Sequence, residues 1–259
     1  MNLSQSKVAL VTGASRKAGI GAAIARELAR DGGNIFITYY RPYDHEAGLA
    51  SDPDEPQSLL AELRDMGRRA DGLELDLSNP QAPKDLFDHV EATVGPVTIL
   101  VNNATYSVRD GIENLNADQL DKHYAINVRA MALLCVEFVR RYKQNLSPGL
   151  YGRIINLSSG QGLNPMSGEL AYAATKGAVE AFSRSLSAEV GRLGITVNAV
   201  DPGATDTGWI SSELKEKWEA ESPMGRIGVP EDAARLIRFL ASAEAEWITG
   251  QIIHSRGGL

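Results

Sequence analysis

A tyrosine and a lysine four residues apart could carry out proton transfer in this chain. Tyr172 and Lys176 begin and end the stretch Tyr-Ala-Ala-Thr-Lys, and residues at this spacing lie on one face of a helix. A cation beside a phenol favours the phenolate, so we expect the pKa of Tyr172 to fall from its usual value of about 10. The phenol could then act as a general acid and base. The same spacing also occurs in ordinary pairs on helix surfaces.

Ser159 supplies a hydroxyl group at a fixed interval from this pair. It lies thirteen residues before Tyr172 and closely follows the apolar run Ile-Ile-Asn-Leu. A hydroxyl there could donate a hydrogen bond to an oxygen atom on which negative charge develops. Serine after a strand can instead cap the turn that follows, which is the alternative for this residue. The interval to Tyr172 favours the catalytic role.

Three glycines near the start of the chain predict a binding site for an anion. Residues 8–21 read as a strand, a glycine-rich turn and the start of a helix. Gly13 permits a tight turn, while Gly19 and Gly21 let the backbone approach a phosphate and let the helix pack on the strand. The free N–H groups at the helix N-terminus favour an anion. This context predicts that the chain binds a dinucleotide.

The type of dinucleotide depends on the end of the second predicted strand. An acidic residue there would bind a ribose 2′-hydroxyl, but this chain has Tyr-Tyr-Arg ending in Arg41, and Arg16 lies in the glycine-rich turn. A guanidinium suits a phosphate, so NADP(H) is favoured over NAD(H). Arg41 could instead face solvent, where Asp44 and Glu46 compete for it. Asp76 follows the third strand and could bind the adenine amino group or cap the next helix.

Short apolar runs alternate with amphipathic stretches along the chain. The predicted strands are residues 8–12, 34–38, 72–75, 97–101, 153–157, 195–200 and 251–254. The predicted helices, from apolar residues at helical spacing, are residues 22–31, 57–66, 80–94, 117–144, 173–193 and 230–241. Such an alternation with right-handed crossovers gives a parallel sheet covered on both faces. We therefore predict a single α/β domain over residues 1–259, a three-layer, doubly wound Rossmann fold with a seven-stranded parallel sheet.

Two segments interrupt this alternation. Residues 42–56 are acidic and contain prolines, and they are longer than the usual connection in such a unit. Residues 203–229 carry two tryptophans and follow the carboxyl end of a strand, where ligands of such sheets bind. We interpret the second segment as a substrate lid with one or two short helices, rather than as a surface excursion packed on the core.

The composition excludes several classes of protein. The 259 residues are 43% hydrophobic, enough for a large core. The formal net charge of −7 argues against nucleic acid or an anionic membrane as a partner. The single cysteine, Cys135, leaves no disulfide within the chain, and the four histidines lack metal-ligand spacing, so we expect no metal. No signal peptide or membrane span is recognisable, so we expect a soluble cytoplasmic protein.

These motifs together resemble the short-chain dehydrogenase/reductase family, in the short single-domain form that includes 3-oxoacyl-carrier-protein reductases. The resemblance covers essentially the whole chain, although the glycine-rich turn has two more residues than the family's Thr-Gly-x-x-x-Gly-Ile-Gly. The matching positions are Thr12, Gly13, Gly19, Ile20, Gly21, Asp76, Asn102, Asn103, Ala104, Asn127, Ser159, Tyr172, Lys176, Pro202, Gly203, Thr207, residues 248–251, Gly257 and Gly258.

The resemblance implies an NAD(P)-dependent enzyme that acts on a carbonyl or a secondary alcohol. Its catalytic residues would be Asn127, Ser159, Tyr172 and Lys176. Tyr172 would transfer the proton, Ser159 would hold the substrate oxygen, and Lys176 would bind the nicotinamide ribose. Asn127 would fix a water that links Lys176 to solvent, or would alternatively be a polar residue that kinks its helix. The implied cofactor contacts are Gly13, Ser15, Arg16, Gly19, Ile20, Gly21, Arg41, Asp76, Leu77, Asn103, Ala104, Tyr172, Lys176, Pro202, Gly203 and Thr207.

Several positions depart from the family pattern. Thr105 replaces a glycine expected beside the nicotinamide. Asp201 precedes Pro202 where a small or neutral residue is usual, and Ser255 and Arg256 stand where the family often has an acidic residue. None of these changes removes a predicted catalytic group.

The motifs leave the substrate open. An apolar pocket for a medium-sized ketone is indicated by Tyr106, Leu163, Met166, Trp209 and Trp218. Reduction of a 3-oxoacyl thioester fits the pattern, and so does a general ketone or polyol dehydrogenase that uses NAD(H). A non-catalytic NADP-binding sensor is a different class, against which the intact catalytic set argues. A sugar-nucleotide epimerase or dehydratase is a further class, but its chains are usually longer.

The resemblance also implies an assembly. The two long predicted helices, 117–144 and 173–193, resemble the family's oligomer interface, which implies a homotetramer. The basic residues 140–143 could attract an acidic carrier protein, but cations at a helix C-terminus also stabilise the helix dipole without any partner, and we favour the second interpretation. The expected partner is a small-molecule carbonyl or acyl thioester, with no nucleic acid and no membrane.

Overall fold

A parallel sheet forms the centre of the protein. The computed structural model describes residues 7–49, 52–145 and 151–258. Its seven strands are arranged in the order β3-β2-β1-β4-β5-β6-β7. Their bounds differ from the predicted ones by no more than two residues: β1 (Val8–Val11), β2 (Asn34–Tyr39), β3 (Ala70–Glu74), β4 (Ile99–Asn102), β5 (Gly152–Leu157), β6 (Ile195–Asp201) and β7 (Ile252–His254). The predicted seven-stranded Rossmann fold is thereby confirmed.

Helices cover both faces of this sheet. In the described ranges the α-helices are α1 (Ile20–Arg30), α2 (Arg41–Glu46), α3 (Glu55–Asp65), α4 (Ala82–Thr93), α5 (Ala117–Tyr124), α6 (Met131–Gln144), α7 (Leu170–Val190), α8 (Ser212–Glu221) and α9 (Pro230–Leu240). The acidic segment 42–56 contains most of α2 and the start of α3, and its residues 50 and 51 lie outside the described residues. None of these helices is long and apolar enough to cross a membrane.

Successive residues of β1 alternate between two hydrophobic cores. Ala9 and Val11 pack with the layer of α1, α3 and α9. Val8 and Leu10 pack with the layer of α4, α6 and α7. All four side chains are buried, because side chains of a strand alternate between its faces and both faces of this sheet are covered.

The order of the strands reverses next to β1, and this reversal creates a crevice. β1 pairs with β2 on one side and with β4 on the other. The chain therefore leaves the carboxyl ends of β1 and β4 in opposite directions, and ligands of open α/β sheets bind in the gap between such loops. The glycine-rich turn follows β1, and the predicted Asn103 and Ala104 contacts follow β4.

The long helix predicted over 117–144 is interrupted by a π-helical turn. This turn comprises Ala125–Ala130 and connects α5 to α6 without a loop. Asn127 lies within it, and its side chain is buried. A π turn carries one more residue than an α turn and is frequent at functional sites. The interruption therefore changes the direction in which Asn127 projects.

Candidate active site

The structure brings Ser159, Tyr172 and Lys176 together beside the carboxyl end of β5. Ser159 follows β5 by two residues, and the other two lie in the first turns of α7. Ser159 lies beside the Tyr172 phenol. The Lys176 ammonium lies 5.4 Å from the centre of the Tyr172 ring, and its Nζ donates to the Leu157 carbonyl at 2.8 Å. A proton donor, a hydroxyl and a cation thus converge from two elements.

The electrostatic state of this trio differs from the expectation. Burial raises the pKa of Tyr172, the Ser159 side chain opposes this shift, and the Glu169 and Asp201 carboxylates add to it. Burial also lowers the pKa of Lys176 to about 8. The predicted fall in the Tyr172 pKa is therefore wrong for this structure, because the cost of burying a phenolate exceeds the effect of a cation that is itself buried.

Asn127 is saturated with hydrogen bonds from the protein. Its Oδ1 accepts from the Tyr106 backbone N–H at 2.7 Å and from the Thr105 hydroxyl at 3.1 Å. Its Nδ2 donates to the Tyr106 carbonyl at 2.9 Å and to the Thr175 hydroxyl at 3.0 Å. The side chain thus joins the loop after β4 to the residue next to Lys176. A water link through Asn127 would require it to exchange one of these partners.

Two loops pack directly on each other at the floor of the crevice. Gly13 has a φ of +73°, and a Cβ there would lie 2.6 Å from the Cα of Ala104. The Thr12 hydroxyl accepts from the N–H groups of Asn103 and Ala104 at 3.1 and 3.0 Å. Asn103 Nδ2 donates back to the carbonyls of Thr12 and Gly13 at 2.8 and 2.9 Å. Only glycine allows this contact.

A cavity of about 1030 Å³ opens above this floor, which is large enough for a dinucleotide. A Cβ at Gly21 would lie 2.6 Å from the Gly13 carbonyl, so the turn and α1 also pack too closely for side chains. α1 begins at Ile20 with Gly19 as its N-cap, and its first N–H groups suit a phosphate. The cavity is lined by eleven of the predicted cofactor contacts: Gly13, Ser15, Arg16, Gly19, Ile20, Gly21, Asp76, Leu77, Asn103, Ala104 and Thr207. These residues fit a dinucleotide.

The two predicted phosphate-binding arginines have different surroundings. Arg16 lines the cavity, donates from Nη1 to the Thr207 carbonyl at 2.7 Å, and has its Nε 3.8 Å from Asp44 Oδ1. Arg41 instead donates to both oxygens of Glu74, from Nε at 3.2 Å and from Nη2 at 2.9 Å. Arg16 is therefore the better-placed cation for a phosphate. Arg41 is held by an acidic residue, as the alternative interpretation expected, but that residue is Glu74 rather than Asp44 or Glu46.

Asp76 does not cap the next helix, because α4 begins at Ala82 with Gln81 as its N-cap. Asp76 lines the cavity, and its Oδ1 accepts from the backbone N–H of Ser78 at 2.8 Å. Burial raises the pKa of the neighbouring Tyr40 phenol, and the Asp76 carboxylate adds to this shift. Pro202 and Gly203 follow β6 on the side of Ser159 and Tyr172, where the predicted nicotinamide end of the crevice lies.

Residues 41–49, which we name the crossing segment, bridge the crevice. The Tyr43 hydroxyl donates to the Ser107 carbonyl at 3.1 Å and accepts from the Ser107 N–H at 3.2 Å. Tyr43 also packs against Tyr106, with 5.5 Å between the ring centres. Tyr43 and Asp44 both line the cavity. The sequence signalled only the unusual length of this connection, so neither residue was predicted to belong to the site.

The predicted lid is one helix with an aromatic pair. Thr205 and Gly228 form a bridge that closes the base of residues 203–229, and α8 lies between them. Trp209 and Trp218 pack edge to face, with 5.9 Å between their ring centres. Trp209 is half exposed. The segment therefore presents apolar surface, as a lid over a hydrophobic substrate requires.

Known proteins agree with this architecture. A family model described as enoyl-(acyl carrier protein) reductase matches residues 13–259, and a solved short-chain dehydrogenase/reductase from Serratia marcescens covers 98% of both chains with 30% identity and a TM-score of 0.85. The chain belongs to the short-chain dehydrogenase/reductase family. Members of this family that are similar to it are oxidoreductases, and the chain is an NAD(P)-dependent short-chain dehydrogenase/reductase enzyme.

Three further members of the family are informative. An uncharacterized oxidoreductase of Bacillus subtilis, YjdA, is 50% identical over 100% of this chain and 98% of its own. An NADPH-dependent aldehyde reductase-like protein from Arabidopsis thaliana is 38% identical over 97% of this chain and 93% of its own. A short-chain dehydrogenase from Burkholderia cenocepacia, solved in complex with NADP, is 33% identical, covers 97% of both chains and has a TM-score of 0.85.

Proposed function

We propose that this enzyme transfers hydride between NADP(H) and a carbonyl or secondary alcohol, with Tyr172 as the general acid and base. The observation that carries the proposal is the convergence of Ser159, the Tyr172 phenol and the Lys176 ammonium beside the carboxyl end of β5. The bound nicotinamide would supply the hydride in reduction and accept it in oxidation. Asn127, Ser159, Tyr172 and Lys176 are the proposed catalytic set.

The raised pKa of Tyr172 favours a role as proton donor in carbonyl reduction. A raised pKa keeps the phenol protonated at neutral and mildly alkaline pH, so Tyr172 has a proton to give to the carbonyl oxygen. Ser159 donates a hydrogen bond to the same oxygen and holds it within reach of the phenol. Lys176 holds the nicotinamide ribose in this proposal, and its ammonium has three N–H donors, so it can do this while it keeps its bond to the Leu157 carbonyl. In oxidation the phenol must first lose its own proton, and the Tyr172 phenolate then takes the proton from the alcohol.

NADP(H) is the proposed cofactor, with NAD(H) as the alternative. Arg16 lines the cavity and suits a 2′-phosphate. The named relative from Arabidopsis is NADPH-dependent, and the Burkholderia structure contains NADP. Against this stands Asp44, whose carboxylate lies against Arg16.

The proposed substrates are aldehydes, ketones and 3-oxoacyl thioesters. Relatives named 3-oxoacyl-[acyl-carrier-protein] reductase include one from Pseudomonas aeruginosa, 34% identical over 98% of both chains. The aromatic pair of the lid supplies apolar surface for such a molecule. We also keep as proposals a cytoplasmic location and a homotetramer formed through the helical stretches of α5 to α6 and α7.

The test is oxidation of the reduced cofactor, followed as loss of absorbance at 340 nm. NADPH and NADH are compared separately with an acetoacetyl thioester, small aldehydes and ketones, 1,2-diketones and sugars. We expect NADPH to be consumed with at least one carbonyl. Activity restricted to the thioester would support 3-oxoacyl reduction. Tight NADPH binding without turnover on any carbonyl would contradict the proposal and favour a non-catalytic sensor.

A further inference from the structure

Two of the residues that depart from the family pattern contact each other behind the proposed catalytic site. Asp201 ends β6, directly before Pro202, and Arg256 follows β7. Arg256 Nη1 donates to Asp201 Oδ2 at 3.1 Å. The Asp201 side chain is buried, with 1% of its surface exposed, and that of Arg256 is 17% exposed. The acidic Asp201 stands where a small or neutral residue is usual in the family, and the basic Arg256 stands where the family often has an acid. In this chain the two side chains form a pair.

Both oxygens of Asp201 have further partners. Oδ2 also lies 2.9 Å from Nδ1 of His254, and Oδ1 accepts from the Gly203 backbone N–H at 2.9 Å. The carboxylate therefore fastens the Pro202–Gly203 turn to the end of β7. Removing one partner of such a buried network leaves the other group unsatisfied.

Arg256 is packed between two turns that belong to the proposed site. A Cβ at Gly160 would lie 2.2 Å from Arg256 Nη1, and a Cβ at Gly203 would lie 3.0 Å from its Cα. Gly160 immediately follows Ser159, and Gly203 is one of the predicted cofactor contacts. Glycine at both positions lets the arginine lie directly on the two backbones. Arg256 thus lies against both turns.

We propose that Asp201 and Arg256 are positioning residues, which hold the Ser159–Gly160 turn against the Pro202–Gly203 turn so that the Ser159 hydroxyl and the nicotinamide meet the same carbonyl carbon and oxygen. This inference rests on the proposed function, because the relation of the two turns matters only if both contact the reacting groups. The pair acts through Ser159 and the turn and touches no substrate itself.

The pair also contributes to the charge around Tyr172. The groups that act on the Tyr172 pKa besides burial are Ser159, Glu169, Asp201 and Tyr43, and the Lys176 ammonium lies 5.4 Å from the ring centre. Asp201 raises the Tyr172 pKa, and the arginine beside it offsets that negative charge. Loss of Arg256 should therefore raise the Tyr172 pKa further, whereas neutralising Asp201 should lower it.

The experiment compares Arg256→Gln, Asp201→Asn, the double variant and the conservative Arg256→Lys. Arg141→Gln is the matched control, because Arg141 is also 17% exposed and also binds carboxylates, those of Asp88, Glu91 and Glu137, at the C-terminal end of α6. For each variant kcat, the cofactor KM, the pH profile and the NADPH Kd from fluorescence are measured. The melting temperature identifies variants that fail to fold.

We expect Arg256→Gln to lower kcat on the order of 10- to 100-fold, as small misplacements of reacting groups do, while the NADPH Kd changes less than about threefold. The pH profile should move to higher pH in Arg256→Gln and to lower pH in Asp201→Asn. The double variant should lose less than the product of the two single losses, and Arg256→Lys should recover part of kcat. Arg141→Gln should behave as the wild type.

Unchanged kcat and pH profile in folded Arg256→Gln and Asp201→Asn would overturn the positioning role while leaving the proposed function intact. The positioning role would also be overturned if Arg256→Gln lowered kcat together with the melting temperature and Arg256→Lys restored neither. That result would indicate a purely structural contact. Turnover that persists in Tyr172→Phe, measured in the same series, would instead overturn the proposed function and this inference with it.

Discussion

The carboxylate of Asp44 lies against the guanidinium of Arg16, with 3.8 Å between Asp44 Oδ1 and Arg16 Nε. Asp44 belongs to the crossing segment and is 5% exposed, and its Oδ2 is buried without a hydrogen-bond partner in the described chain. Burial raises the pKa of Asp44, and Arg16 opposes the shift. The cation proposed to bind a 2′-phosphate therefore already has a negative neighbour, which a phosphate would have to displace or tolerate.

Asp44→Asn should increase the preference for NADPH over NADH. Removing a like charge beside the 2′-phosphate should raise the ratio of the two kcat/KM values about tenfold, or ~1.4 kcal/mol. Steady-state kinetics with both cofactors measure the ratio. Asp54→Asn, which neutralises another acid of the same acidic stretch, serves as the control and should leave the ratio unchanged. A ratio that falls in Asp44→Asn would show that this carboxylate does not face the phosphate.

Arg16→Ala should weaken NADPH binding by about 10- to 100-fold, the value of a charge-assisted hydrogen bond, and NADH binding much less. Arg41→Ala should also discriminate against NADPH, but by a smaller factor, because Glu74 holds the Arg41 guanidinium. Cofactor fluorescence titrations give the four dissociation constants. Equal losses for NADPH and NADH in both variants would refute the 2′-phosphate assignment.

Tyr172→Phe should abolish measurable turnover, because phenylalanine retains the ring and lacks the hydroxyl group. The loss in kcat should be at least the roughly 10²- to 10⁴-fold that a positioned acid contributes. Cofactor affinity should be nearly unchanged. Tyr151→Phe, at a half-exposed tyrosine before β5, is the matched control. Substantial residual activity in Tyr172→Phe would mean that another group delivers the proton.

Lys176 should make the free energy of unfolding depend on alkaline pH. Its pKa is about 8 when folded and about 10.4 when unfolded, so between these values the unfolded chain binds more protons and stability rises with pH. The rise between pH 7.5 and 9.5 should be roughly 2 kcal/mol. Above about pH 10 the raised Tyr172 pKa has the opposite effect, because the unfolded phenol loses its proton first.

Urea denaturation of the wild type and of Lys176→Met at the two pH values measures this contribution. The increment should be present in the wild type and missing in Lys176→Met, whatever the overall stability of the variant. The same increment in both proteins would assign it to another group.

The strands and the main catalytic candidates were predictable because their signals are local. The strand β4, for example, is a short apolar run in the sequence and is buried on both faces. The interval of thirteen residues between Ser159 and Tyr172 runs from just after β5 into the start of α7. Gly13 was recognisable because its backbone conformation excludes other residues. The family, the fold and the enzyme class all followed from such patterns.

Features that depend on burial or on distant contacts were not predictable. Spacing alone indicated a lowered Tyr172 pKa, whereas desolvation in the folded chain raises it. The π turn around Asn127 has no periodic signature within a long amphipathic stretch. Asp201 and Arg256 were each recognised as unusual, but their contact joins residues 55 positions apart and appears only once β6 and β7 are adjacent.

The contact between Tyr43 and Ser107 bears on the order of events during turnover. It joins the connection after β2 to the loop after β4 over the crevice, so a dinucleotide lying beneath it could not dissociate until both hydrogen bonds break. A carbonyl entering from the lid side would meet an enzyme already loaded. The cofactor would therefore bind first and leave last, because the contact between Tyr43 and Ser107 has to open at each exchange.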